Sequence, residues 1–263
     1  RNKILNDKRI KEIHDFPETA DCFPGQNIRG GVCYFLWDKN YNGKTKVVNY
    51  KSGKKISESE RNLKIDDKNI FVRFNDGISI LEKVKKFNDK KFDSLVSSRK
   101  PFGFPTNYNG FKEKYSNTYN IELHRFGENG YINSKQVEIN RDLISKYKVI
   151  VPYASPGGDE YPHAILSKPI VSKPNTCCTE TYLLIGPFKN NQICQNVVSY
   201  MKTKFFRFLI LLIKTSQHVT KKNYSFVPMQ NFDQEWNDKK LYKKYNLNEK
   251  EINFIDSIIK TIE

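Results

Sequence analysis

Long hydrophobic runs, paired cysteines and recognisable catalytic loops are all missing from this sequence. Its longest apolar run, Phe208 to Ile213, is six residues, against roughly twenty needed to cross a bilayer, so no membrane partner is expected. The chain opens Arg1-Asn2-Lys3 into a mixed polar segment without an apolar core, which reads as no signal peptide. Its five cysteines, Cys22, Cys33, Cys177, Cys178 and Cys194, are odd in number, with no Cys-x-x-Cys and no histidine at zinc-finger spacing. They read as reduced structural thiols of a cytoplasmic protein, and no metal is expected. The four histidines, His14, His124, His163 and His218, show no i,i+4 pairing and read as hydrogen-bonded or surface residues. There is no G-x-G-x-x-G, no P-loop and no nucleophile elbow, which excludes the common dinucleotide, nucleoside triphosphate and hydrolase sites. No internal repeat is present.

A Mg²⁺-dependent nuclease needs clustered carboxylates, usually with a lysine two residues after one of them. No glutamate here has a lysine at that spacing. Asp66-Asp67-Lys68 and Asp89-Lys90-Lys91 offer aspartate at the right offset, but both sit in charge runs that read as solvated. No catalytic residue is assigned.

Positive charge is what the chain has in excess. Lys and Arg number 45 against 29 Asp and Glu, giving +16 and a pI near 9.5, so a polyanion is the expected partner. A hydrophobic content of 38% over 263 residues is enough for a real core. The stretch Ser97 to Gly110 interleaves cations, amides and aromatics in a loop held by proline and glycine. Arg or Lys can pair with guanine O6/N7 and Asn or Gln with adenine N6/N7. Arg99, Lys100, Asn107 and Asn109 in that loop, with Gln217 from the stretch Gln217 to Asn223, are therefore the candidate base readers. Lys112, Lys135, Arg141, Lys221 and Lys222 are the candidate phosphate contacts, which supply affinity and salt dependence without sequence choice.

Along the chain, Ile4 to Phe16 reads as the end of a helix and a short strand over 13–16. Two glycines then lead into Ile28 to Asp38, an apolar run that reads as a fully buried strand. Asn42-Gly43 predicts a hairpin, with Lys44 to Tyr50 returning antiparallel. Lys51 to Asp67 is lysine-rich and polar and suits a linker at a domain border. A short helix is predicted over 78–88, and strands over 119–126, 147–153, 168–173 and 180–186. Asn190 to about Thr215 reads as one long core helix with an apolar stripe that broadens along its length. A last helix begins at Asn248, with Glu251 completing a capping box and Leu247 placed to staple against Ile252.

Five blocks of sequence together resemble a known family: NDKRIKEIHDFPETADCFPGQNIRGGVCYFLWDKNYNG, VSSRKPFGFPTN, KPNTCCTETYLLIGPF, SYMKTKFFRFLILLIKTSQHVTKKNYSFVPMQNF and EWNDKKLYKKYNLNEKEINFIDSII. They are similar to the C-terminal part of adenine-N6 DNA methyltransferases of restriction–modification systems, with a TaqI-like specificity domain. The resemblance implies an α+β fold: terminal strands and a hairpin of a methyltransferase sheet, then a mixed α/β target-recognition domain with a long buried core helix. It implies a remnant of the catalytic domain over 1–50 and a DNA specificity domain over 51–263. It also implies sequence-specific binding of double-stranded DNA in a bacterial cytoplasm, with a restriction subunit or a fused nuclease as a further partner. The family's Phe-x-Gly-x-Gly methyl-donor motif and its Asn/Asp-Pro-Pro-Tyr/Phe motif are both missing. S-adenosylmethionine is thus expected for the full-length parent and not for this stretch. A restriction endonuclease and an RNA-binding or assembly module are the alternative readings. Gly30-Gly31 reads either as a close backbone approach beside a catalytic cleft or as a plain strand-entry turn.

Overall fold

In the computed structural model, residues 2–26, 28, 30–65, 70–87, 89–156, 162–214 and 216–262 are described. The chain is α+β, with three small sheets and six helices among those residues. After α1 (Asn2–Leu5) come β1 (Ile10–Phe16), β2 (Val32–Trp37), β3 (Thr45–Lys51) and β4 (Lys54–Arg61). They form one sheet in the order β2-β1-β3-β4.

Three expectations change here. β3 does not return against β2. It lies on the far side of β1 and parallel to it, with His14 opposite Val48, because β1 has already taken the one side of β2 that is paired. The supposed linker carries β4, which completes an antiparallel ladder from Thr45–Arg61 to Lys51–Lys54; Asp66, Asp67 and Lys68 lie outside the described residues. And β2 is an edge strand rather than a buried one. Tyr34, Phe35, Leu36 and Trp37 are 55%, 54%, 50% and 45% exposed, so both its faces are open as well as its outer edge. An apolar run gives the propensity for a strand but not the number of its neighbours.

The sheet is tied to the rest of the chain by polar side chains. Arg73 pairs with the buried Asp15 at 2.9 Å, and Arg61 donates to the Asn75 side chain and the Val72 carbonyl. Asn75 precedes α2 (Asp76–Lys86), the predicted amphipathic helix, which buries Ile80, Leu81 and Val84.

β5 (Ile121–His124), β6 (Gly130–Ile132), β7 (Tyr147–Pro152), β8 (Ile170–Ser172), β9 (Thr176–Cys178) and β10 (Tyr182–Phe188) follow. They build two sheets, ordered β10-β7-β8 and β6-β5-β9. Alternation explains how they stack. Val149 and Val151 of β7 and Leu183 and Ile185 of β10 face the large helical core, while Ile150 and Leu184 face a second core with Ile121, Leu123, Ile132, Cys177 and Cys178. A sheet buried on both faces reads as a continuous apolar run, and both strands do.

The helical core comes from α3 (Asn191–Lys202), α4 (Lys204–Leu211), α5 (Asp238–Lys244) and α6 (Glu249–Ile258). The expected single long helix is therefore two. Thr203 breaks it with extended backbone (φ −62°, ψ 147°), and its side chain caps α4 by accepting from the Phe206 amide. Every residue of α4 from Phe205 to Ile210 is buried, including Arg207, whose guanidinium donates to the carbonyls of Lys202, Ala164 and Lys260. The Asn248–Glu251 capping box forms as predicted, and Glu251 also pairs with Lys83 of α2 at 2.7 Å. No helix among the described residues is long and apolar enough to cross a membrane.

Candidate nucleic-acid interface

The loop 97–110 stays free of regular structure, as its prolines and glycines predict, but its cations are not loose. Arg99 Nε lies 3.3 Å and Lys100 Nζ 3.7 Å from one oxygen of Glu180, whose side chain is only 12% exposed. The other Glu180 oxygen accepts from the Thr106 amide at 3.2 Å and from its hydroxyl, and the Glu180 amide donates to the Phe104 carbonyl. Partial burial works against this carboxylate, yet the Thr106 amide and the two cations outweigh it and hold its pKa below the ordinary glutamate value. Glu180 is thus ionised at neutral pH and organises the loop from both ends.

Tyr153, at the exit of β7, is the second organiser. The Arg99 guanidinium lies over its ring at 5.1 Å, and His218 stacks on the same ring at 4.6 Å. Backbone bonds fix that stack: the Val219 amide donates to the Tyr153 carbonyl, and the Ser155 amide to the Gln217 carbonyl. Two segments far apart in sequence, 99–100 and 217–222, therefore meet at Tyr153. Lys221 and Lys222 are exposed on the short 3₁₀ turn Lys221–Tyr224 that follows.

The remaining predicted residues gather at a second corner. Asn107 and Asn109 are exposed on either side of Tyr108, whose ring packs on Phe104 at 4.5 Å. Gln136 donates to the Tyr108 hydroxyl at 2.8 Å and to the Gly110 carbonyl, pinning this end of the loop to the 3₁₀ turn Ser134–Gln136. Lys135 sits on that turn, and Lys112 bridges to Tyr131 of β6 with its ammonium over Tyr119. Arg141, though exposed, folds back to donate to the Val137 and Lys135 carbonyls. Base-reading and phosphate candidates are thus mixed at both corners rather than segregated.

Sequence reasoning missed Tyr153 and Glu180. A signal for Glu180 was present: between Glu160 and Asp233 it is the single acid among nine Lys and Arg. The cations it meets, Arg99 and Lys100, come from outside that run. Tyr153 carried no comparable signal, since an aromatic at a strand end is ordinary.

Other polar groups serve the fold. Asp89, from one of the two aspartate–lysine motifs, accepts from the Tyr245 hydroxyl at 3.0 Å and pairs with Lys244, so it braces α5. His14 stacks on Tyr34 and bonds Tyr50 and Glu12, and His124 bonds Asn129. All five cysteines are free thiols. Among the described residues no group of three or more histidine, cysteine or acidic side chains is placed to hold a metal ion. Gly31 is a strand-entry position: with φ +69°, a Cβ there would collide with the backbone of Phe16 and Pro17. The space beside Gly31 is filled by the chain's own backbone, whereas that beside Gly30 is open. The open cleft lined by Lys3, Asp7, Lys8, Arg9, Lys39 and Tyr41 is mainly basic, with one carboxylate and one aromatic ring.

No family model matches the chain. Among curated proteins it is similar to an uncharacterized adenine-specific methylase of Mycoplasma pneumoniae, 39% identical over 101 residues, which make up 37% of this chain and 23% of that protein. Among solved structures, the type IIG restriction endonuclease BpuSI matches over 93% of this chain and 39% of its own, at 8% identity and a TM-score of 0.37, a likeness too low to support an argument. The chain therefore spans about a quarter of the curated relative's length and well under half of the solved structure's.

Proposed function

We propose that this chain is the target-recognition portion of a type II restriction–modification adenine-N6 DNA methyltransferase with a TaqI-like specificity domain, and that it binds duplex DNA sequence-specifically. The observation that carries this reading is the 39% identity to an adenine-specific methylase. The geometry supports it through the two mixed corners, where cations and amides stand beside aromatic rings, the chemistry that combines phosphate grip with base-edge contact. In this reading residues 1–50 are the end of the catalytic domain and residues 51–263 the specificity domain, a division that leaves β4 of the first sheet on the recognition side. The unprotected apolar edge of β2 supports a larger sheet, because natural edge strands normally carry charge, proline or a cover.

S-adenosylmethionine would belong to the parent's catalytic half, and no step of methyl transfer is assigned to residues described here. The partner is double-stranded DNA in a bacterial cytoplasm, with a restriction subunit or fused nuclease as a further partner. The test is selection from a randomised duplex pool by the isolated chain, followed by a salt titration. One short site should be enriched, and its affinity should fall with a log–log slope of about −4 to −5 if all five candidate cations, Lys112, Lys135, Arg141, Lys221 and Lys222, meet phosphates. A chain that ignores duplexes in dilute buffer, or prefers single-stranded RNA, refutes the reading.

A further inference from the structure

A cation free on a DNA-facing surface goes to the nearest phosphate, because that contact is available at every step of the duplex and needs little alignment. Reading a base edge demands the opposite: a guanidinium held in one place, with two donors pointing outward. Arg99 meets that demand. Its Nε lies 3.3 Å from Glu180 and its guanidinium carbon 5.1 Å from the centre of the Tyr153 ring, while the side chain stays 56% exposed, so the outer nitrogens remain accessible to an acceptor pair such as guanine O6/N7. Lys100 is held against the same carboxylate oxygen. Glu180 in turn cannot swing away, because its other oxygen is bonded by the amide and hydroxyl of Thr106.

We propose that Glu180 is the specificity-setting positioning residue of this interface, holding Arg99 and Lys100 back from phosphate and, with Tyr153, presenting Arg99 to a guanine. This rests on the duplex-reading function proposed above. Glu180 weakens general affinity by cancelling positive charge and gains discrimination in exchange. That signature is opposite to that of a merely structural residue, whose loss lowers specific and non-specific binding together.

The experiment compares the parent with Glu180→Gln, Tyr153→Leu and Tyr153→Phe, using the duplex enriched from the random pool and a scrambled duplex of the same composition. Glu180→Gln should bind scrambled DNA at least as tightly as the parent, lose about tenfold or more in preference for the enriched site, and steepen the salt slope by about one unit. Tyr153→Leu should lose preference similarly, and Tyr153→Phe should keep it, since the ring and not the hydroxyl carries the guanidinium. In the unbound protein, the Arg99 Nε chemical shift should be displaced by the neighbouring carboxylate in the parent and move toward the free-arginine position in Glu180→Gln. If the parent discriminates but Glu180→Gln does so equally, or loses both affinities together, the positioning role is wrong while the duplex-reading function stands. If the parent binds no duplex, both fall.

Discussion

Replacing Lys148 by methionine should remove one term of the pH dependence of stability, a term that rises with pH. Lys148 lies in β7, fully buried, with Nζ donating to the carbonyls of Lys146 at 3.0 Å and Lys173 at 3.3 Å. Among the described residues no carboxylate pairs with it. The nearby Cys177, Cys178 and Cys194 are themselves driven up by burial, Cys178 to about 12, so they remain neutral and supply no countercharge. Burial accordingly pushes Lys148 from 10.5 down to about 8. The folded value lies below the unfolded one, so stability rises with pH between about 8 and 10.5, at about 1.4 kcal/mol per unit and to about 3 kcal/mol in all. Below pH 8 both states hold the proton and the full cost is present.

The assay is urea unfolding of parent and Lys148→Met from pH 7 to 9.5. That range stays below the titration of the buried Tyr200, Tyr224, Tyr242 and Tyr245, whose burial raises their pKa values and whose contribution is lost only as pH climbs past 10. The buried Cys177, Cys178 and Cys194 lower stability as pH passes the ordinary thiol value, but they do so in parent and variant alike and cancel in the difference. The parent should gain about 2 kcal/mol relative to the variant across pH 8 to 9.5. A difference that stays constant over that range would show that Lys148 is solvated, and would refute the reasoning.

Phe35→Lys, on the open edge strand, should cost the chain's own fold under about 1 kcal/mol, because the side chain is already 54% exposed. Each aromatic on that strand would bring about 2 kcal/mol to any strand that covers it, so the parent should self-associate with concentration in sedimentation and the variant should not; a large drop in melting temperature would instead place Phe35 in the core. Thr203→Ala removes the hydroxyl that caps α4 and also donates to the Tyr200 carbonyl at 2.7 Å, and should cost about 1–2 kcal/mol in chemical denaturation. No change in the denaturation midpoint would mean that the break between α3 and α4 is held by packing alone. Lys221→Ala with Lys222→Ala should weaken enriched and scrambled duplexes alike and flatten the salt slope by about two units. A selective loss on the enriched site would reassign these lysines to base reading.

Local chemistry was the legible part of this protein. The Asn248–Glu251 capping box, the amphipathic stripe of α2, the buried runs of β7 and β10 and the irregular loop 97–110 all follow from spacing within a dozen residues, where backbone hydrogen bonding and side-chain periodicity act directly. The short strands β6 and β9, three residues each, escaped notice because their pairing depends on β5 lying between them. The candidate cations and amides were also readable as types, since net charge and composition are properties of the chain rather than of its fold.

By itself the sequence determined most of the strands, though not β4, β6 or β9, the Asn248 cap and the excess of cations, and its likeness to an adenine-specific methylase lies in the same string of residues. Only the tertiary structure decided that β2 stands at an edge, that β3 crosses to the far side of β1, and that Glu180 and Tyr153 gather Arg99, Lys100 and His218 into one corner. Propensity is set by neighbours along the chain, whereas strand order and ion pairing are set by which distant surfaces bury one another. An apolar hexapeptide is compatible with zero, one or two flanking strands, and Glu180 found its cations, Arg99 and Lys100, far upstream of its own basic run.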